Sequence, residues 1–244
     1  MKVFTRTDIG KERSMNQDSF YVSENENNGL NLYILADGMG GHKGGEIASK
    51  VAVTAVSKYI TEKFDEISKD KQSILDLIED AIAFANSAIY EESEQDEELQ
   101  DMGTTLEVLA IFKGKIYIGH IGDSRIYRIR KNAIKKITTD HSYVEKLIQD
   151  GEITREESYN HPKKNLLIKA LGTDPEVEPD MIYTVLNKND VILICSDGLT
   201  NMVREDNILN IIKENTGDMT DILIGEANNS GGLDNITVIV IDNR

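Results

Sequence analysis

The chain has 244 residues, 39% hydrophobic and 29% charged, which is enough apolar material for a core and excludes wholesale disorder. Its 27 Lys and Arg against 43 Asp and Glu leave a net charge of −16, so it repels both a nucleic-acid backbone and an anionic membrane surface. Cys195 is the single cysteine, which excludes an intrachain disulfide and a cysteine-built zinc site.

Residues 1–8 lack the apolar stretch of a signal peptide. Apolar runs such as Val191–Cys195 are far too short to span a bilayer, so the expectation is a soluble cytoplasmic protein. Short strands are expected at 2–8, 18–23 and 31–36. Two helices follow, because Ile47, Ala48, Val51, Ala52, Ala55, Val56 and Ile60 recur at helical spacing, as do Ile74, Ile78, Ala81, Ile82, Ala85 and Ile89. Both stripes read as core. The acidic run Glu91, Glu92, Glu94, Asp96, Glu97, Glu98 and Asp101 reads as a solvated helix end. Strands are then expected at 105–112, 115–121, 125–130 and 133–138, with Lys113-Gly114-Lys115 and Lys131-Asn132 as tight links. Residues 141–150 read as a short helix. The polar stretch 151–175 has no clear period, and all three prolines, Pro162, Pro175 and Pro179, fall in or beside it. Strands return at 177–184 and 190–195, helices at 205–214 and 218–229, and a last strand at 236–241. Strands in consecutive runs, without regular β-α-β alternation, point to an α+β fold with antiparallel sheets. With no repeat and no linker, residues 1–244 read as one domain.

The chemistry is carried by aspartates beside apolar strands. Leu32 to Ala36 runs into Asp37-Gly38, Val191 to Cys195 into Ser196-Asp197-Gly198, and Ile116 to Ile121 into Gly122-Asp123, while Asp234-Asn235 opens the last strand. One Asp-Gly is an ordinary turn. Four such ends, if they converge, bring carboxylates together at a cost of about 4 kcal/mol per pair near 4 Å and an effective dielectric of 20. Such a cluster must protonate or bind cations. Oxygen-only ligation suits Mg²⁺ or Mn²⁺. Rival chemistries fail on the letters. Asn201 stands where a cysteine-dependent phosphatase needs Arg, no phosphate-gripping Gly-x-x-x-x-Gly-Lys loop occurs, Lys43 breaks a dinucleotide glycine pattern, and no Gly-x-Ser-x-Gly is present. The four histidines lack zinc spacing.

The motifs Arg13-Ser14-Met15-Asn16-Gln17-Asp18, Asp37-Gly38-Met39-Gly40-Gly41-His42, Gly103-Thr104-Thr105, Gly122-Asp123-Ser124-Arg125, Ser196-Asp197-Gly198 and Asp234-Asn235-Ile236-Thr237 arrive in one order over almost the whole length. In this the chain resembles the metal-dependent protein phosphatases of the 2C type, in particular the compact stand-alone bacterial members. The resemblance implies a four-layer α-β-β-α sandwich of two antiparallel sheets flanked by helices. It implies two Mn²⁺ or Mg²⁺ ions, and a third, weaker site. Asp37 would bridge the pair, with Asp197 and Asp234 completing one site and the Gly38 carbonyl helping to hold the other. Asp18 would either ligate or anchor water held there, and Asp123 would serve the third site with Asp197. Arg13 would grip the substrate phosphate, and His42 is the candidate general acid. Residues 141–175 match a flap beside the site. The implied activity is hydrolysis of phosphoserine and phosphothreonine in proteins by a metal-activated water, opposing a Ser/Thr kinase, by a monomer. The alternative is a non-catalytic phosphatase-like regulatory domain, against which the retention of Asp37, Asp197 and Asp234 argues. A nucleotide phosphoesterase would want an aromatic slot, and the chain has no Trp and 6% aromatics.

Overall fold

The computed structural model describes residues 1–23, 28–40 and 43–244. The strands are β1 (Lys2–Asp8), β2 (Asp18–Ser23), β3 (Asn31–Met39), β4 (Gly103–Thr104), β5 (Leu106–Phe112), β6 (Lys115–Ile121), β7 (Arg125–Arg130), β8 (Ala133–Lys136), β9 (Asp180–Val185), β10 (Val191–Cys195) and β11 (Ile236–Asp242). The helices are α1 (Gly44–Lys63), α2 (Lys71–Gln95), α3 (Tyr143–Gln149), α4 (Arg155–Ser158), α5 (Asp197–Thr200), α6 (Glu205–Glu214) and α7 (Thr220–Asn229). One sheet has the order β1-β11-β10-β7-β8 and the other β2-β3-β5-β6-β9, with β4 added to β3. Every strand pairing is antiparallel.

The apolar strands are buried on both faces, and their alternation feeds two cores at once. Along β3, Tyr33 and Leu35 enter the core between the sheets, while Leu32, Ile34 and Ala36 face α1 and α2. Along β10, Ile192 and Ile194 point between the sheets, while Val191, Leu193 and Cys195 pack beneath α6 and α7. The same division runs along β11, with Ile239 and Ile241 inside and Val238 and Val240 outside. Three apolar layers between four structural layers result, as the α-β-β-α reading requires. Cys195 is buried and inert, its thiol pKa pushed upward by burial.

Several boundaries differ from the sequence reading, each for a local reason. Strand β3 runs on to Met39 because Gly38 and Met39 pair with Thr104 and Gly103. Strand β8 stops at Lys136 because the Thr138 hydroxyl, not a backbone carbonyl, accepts the Ile126 N–H (3.1 Å). Strand β9 starts at Asp180 rather than 177, directly after Pro179, which has no N–H to give a ladder. Both hairpin links hold positive φ, at Lys113 (48°) and Gly114 (70°) and at Lys131 (49°) and Asn132 (63°), as two-residue turns require. Helix α2 absorbs the first half of the acidic run. The rest forms a short 3₁₀ turn, Glu97–Leu99, whose Asp96 side chain accepts from Glu98 N (2.9 Å) and whose Leu99 is buried. Among the described residues no helix is long and apolar enough to cross a membrane.

Candidate metal centre

Asp18 opens β2 and stands directly opposite Asp37 in the β2–β3 register. Opposed residues of an antiparallel pair have Cβ atoms about 4.5–5.5 Å apart, and like charges there destabilise the sheet. Asp37 is fixed by its backbone. Its N–H donates to the Thr105 hydroxyl (3.0 Å), and its carbonyl accepts from Thr105 N–H (2.9 Å) and the Thr104 hydroxyl (2.9 Å). Gly38 could be no other residue, since a Cβ there would lie 2.0 Å from the Gly45 carbonyl oxygen. That contact brings the start of α1 against the strand.

The other sheet supplies the remaining carboxylates. Asp197 follows β10 as the first residue of α5, and Asp234 precedes β11. Gly198 lets these two ends meet, because a Cβ would lie 2.0 Å from the Asn235 carbonyl oxygen. Asn235 ties the opening motif down. Its Nδ2 donates to Ile9 O and Met15 O (2.9 Å each) and its Oδ1 accepts from Gln17 N–H (2.8 Å). Hydroxyls then cross from sheet to sheet: Ser196 Oγ (2.9 Å) and Thr237 Oγ1 (2.6 Å) both donate to Asp18 Oδ2. Asp123 lies in the turn between β6 and β7, where Gly122 takes φ 104° and packs on Thr105.

Asp37, Gly38, Asp123, Asp197, Asp234 and Arg13 line one cavity of about 610 Å³. Burial pushes the Asp37 carboxyl well above its ordinary range, and Asp18, Asp197, Asp123 and Asp234 push it further. Burial, then Asp123, Asp234 and Asp18, does the same to Asp197. Asp18 is raised to about 6 by burial, against the lowering effect of its two hydroxyl donors. Asp123 is raised to about 6 by burial and by Asp140.

Asp18 Oδ1 and Asp197 Oδ1 are buried and have no hydrogen-bond donor among the described residues. Orphaned carboxylate oxygens beside other carboxylates are what a hard divalent cation satisfies, so the donor set fits Mn²⁺ or Mg²⁺. Among the described residues no three acidic, His or Cys side chains are drawn into a closed ligand cluster; the carboxylates ring the cavity. Arg13 stands at the rim, half exposed, with Nη2 2.8 Å from Asp234 Oδ2. His42 lies outside the described residues.

The structure thus brings Arg13, Asp18, Asp37, Gly38, Asp123, Asp197 and Asp234 to one place. Sequence reasoning missed the parts played by Ser196, Thr237, Thr105 and Asn235. Each lay within a motif, but a motif does not say which carboxylate a hydroxyl will reach. Arg125, in the same motif as Asp123, goes elsewhere: Nε and Nη2 grip Asp140 (2.7–3.1 Å), just before residues 141–175.

Residues 10–221 match the family model described as Protein phosphatase 2C. The chain is 40% identical to the protein phosphatase PhpP of Streptococcus pneumoniae, over 99% of this chain and 97% of that one. It is 40% identical to a serine/threonine phosphatase of Listeria welshimeri, over 97% and 94%. The serine/threonine phosphatase of S. agalactiae superposes with a TM-score of 0.91 at 39% identity, covering 100% of this chain and 99% of that one. The catalytic domain of the phosphatase PstP, solved in complex with two manganese ions, gives 0.86 at 34% identity, covering 99% and 97%. With residues 10–221 matched by the family model and nearly its full length by these relatives, the chain belongs to the protein phosphatase 2C family.

Proposed function

We propose that the chain is a metal-dependent protein-serine/threonine phosphatase whose divalent cations, Mn²⁺ or Mg²⁺, would be held by Asp37, Asp197, Asp234 and the Gly38 carbonyl. Asp18 adjoins them, and Asp123 with Asp197 offers a further, weaker position. When bound, the cations supply the charge that makes a water nucleophilic at neutral pH and offsets the phosphate. The protein's own groups do the rest. Ser196 and Thr237 hold one Asp18 oxygen in place and leave the other, buried, without a donor. Arg13, half exposed beside Asp234, is placed to exchange that carboxylate for the oxygens of an incoming phosphate, with donors in a planar fork. Met39, Gly40 and Leu167 wall the cavity and limit its water. For proton delivery to the leaving alkoxide, His42 is our candidate general acid.

The observation that carries this reading is a buried, donorless Asp197 oxygen in a cavity ringed by acids, with a second such oxygen on Asp18, which stands opposite the cavity-lining Asp37. We also read residues 1–244 as one catalytic domain, with 141–175 as its flap, working as a cytoplasmic monomer against a Ser/Thr kinase. The test is phosphate release from a phosphothreonine peptide with Mn²⁺, with excess chelator, and by Asp37→Asn, alongside Mn²⁺ titration calorimetry. Turnover with Mn²⁺ only, and both turnover and tight Mn²⁺ binding lost in Asp37→Asn, is the expected result. Turnover that survives exhaustive chelation would refute it.

A further inference from the structure

A second hollow on the flap adjoins the carboxylate cavity. Its wall, residues 161–166, is a run of turns in which Lys164 N donates to His161 O (3.1 Å), Leu166 N to Lys163 O (3.2 Å) and Lys163 N to His161 Nδ1 (3.1 Å). The far end is stitched to the flap root. Tyr143 N donates to Leu166 O (2.8 Å), Leu167 bridges Ser142, and Ile168 N donates to His141 O (2.9 Å). The wall is therefore preformed, and a ligand that meets it need not pay to order it.

The hollow encloses about 650 Å³ against His161, Pro162, Lys163, Lys164, Asn165 and Leu166. Asn165 and Leu166 also line the carboxylate cavity, so the two spaces share a wall. Lys164 in addition borders a narrow cleft beside Asp123 and Asp197. Leu166 is 48% exposed at this lip. Among the described residues neither Lys163 nor Lys164 has a carboxylate within ion-pair distance; Lys163 Nζ instead lies 5.1 Å from the Tyr143 ring centre. On a chain of net charge −16, Lys163 and Lys164 put two adjacent ammonium groups outside any ion pair on this wall.

We propose that this hollow seats the stretch of substrate chain beside the phosphorylated residue, and that it selects a segment with an apolar side chain packed on Leu166 and acidic side chains facing Lys163 and Lys164. The proposal rests on the phosphatase reading above and names the class of phosphoprotein taken: one whose phosphoserine or phosphothreonine has acidic and apolar neighbours.

Two phosphothreonine peptides that share a leucine and differ only in an Asp-Glu or a Lys-Lys pair beyond it test this, with wild type, Lys163→Glu/Lys164→Glu and Leu166→Ala, each checked for folding by thermal melting. The readout is the ratio of kcat/KM for the two peptides within one protein, so a general loss of activity cancels. Two exposed charge contacts give wild type about a tenfold preference for the acidic peptide, which shrinks as salt rises. The charge-swapped variant reverses the preference, and the kcat/KM advantage that wild type shows for the leucine peptide over one with glycine in its place disappears in Leu166→Ala. Equal kcat/KM for the two peptides in wild type, or an unchanged ratio in the charge-swapped variant, overturns the proposal. Failure of wild type with Mn²⁺ to hydrolyse p-nitrophenyl phosphate, which has no flanking chain, would instead overturn the phosphatase reading and this proposal with it.

Discussion

Asp18 and Asp37 face each other across a ladder, where two carboxylates are the worst available pair, and Ser196 and Thr237 spend their hydroxyls on holding one of them there. Selection for sheet stability alone would not keep that arrangement; a cation between the strands makes sense of it. Arg13 rests on Asp234, a carboxylate that we propose as a cation ligand. Replacing Arg13 with Ala should therefore separate two quantities. Steady-state kcat/KM on a phosphothreonine peptide should fall by about 10²-fold, the effect of losing one charged donor to the phosphate. Arg13→Lys should recover only part of this, since an ammonium lacks the bidentate fork. Calorimetric Mn²⁺ affinity should hold or rise, because the competing guanidinium is gone. A fall in Mn²⁺ affinity would argue that Arg13 orders the carboxylates rather than the substrate.

Residues 141–175 are joined to the sandwich through a largely buried ionic knot. Arg125 at the start of β7 and Lys136 at the end of β8 both meet Asp140, and Lys136 and Arg155 meet Glu145 on α3. Burial would raise the Asp140 pKa, but Arg125 and Lys136 outweigh it and hold the carboxyl below its usual range. For Glu145 the groups that outweigh burial are Arg155 and Lys136. A folded-state pKa below the unfolded one means stability that is present above about pH 4 and lost as pH falls through the folded value. Acid should thus loosen this junction, read as hydrogen exchange or proteolysis of residues 141–175 on acidification below about pH 4. Asp140→Asn should lower stability to urea by about 3–5 kcal/mol at neutral pH, because it strands Arg125 beside a neutral amide. A change under 1 kcal/mol would show the knot to be dispensable. This element was only half legible. The sequence marks 151–175 as irregular and places Arg125 beside Asp123, but partners separated by fifteen positions leave no local pattern, so the knot was not foreseen. Helix α4, four residues fixed by a Thr154–Glu157 capping box, is too short for periodicity to reveal.

At the scale of the whole molecule, the α+β class with antiparallel sheets was readable from strands in consecutive runs and from striped helices, while the four layers were implied only by the family resemblance. What periodicity cannot say is which strand mouths face one another. That depends on the order β1-β11-β10-β7-β8 against β2-β3-β5-β6-β9, and on glycines at 38 and 198 that admit a backbone where no Cβ fits. The site straddles both sheets, so it should report on the core between them. Ile194, fully buried there, and Ile212, fully buried under α6, offer a matched pair. Each truncation to Ala should cost about 2–5 kcal/mol on urea denaturation. Turnover below the melting range should drop much further in Ile194→Ala, since a shift of about 1 Å in catalytic geometry can cost 10²-fold. Equal losses of turnover would show that the inter-sheet core does not set the site's geometry. The two hydroxyl bonds on Asp18 act as a clasp between two leaves of a book. A small slip of one leaf past the other opens the clasp while every page stays intact, so damage anywhere along the spine would silence the enzyme long before its secondary structure faded.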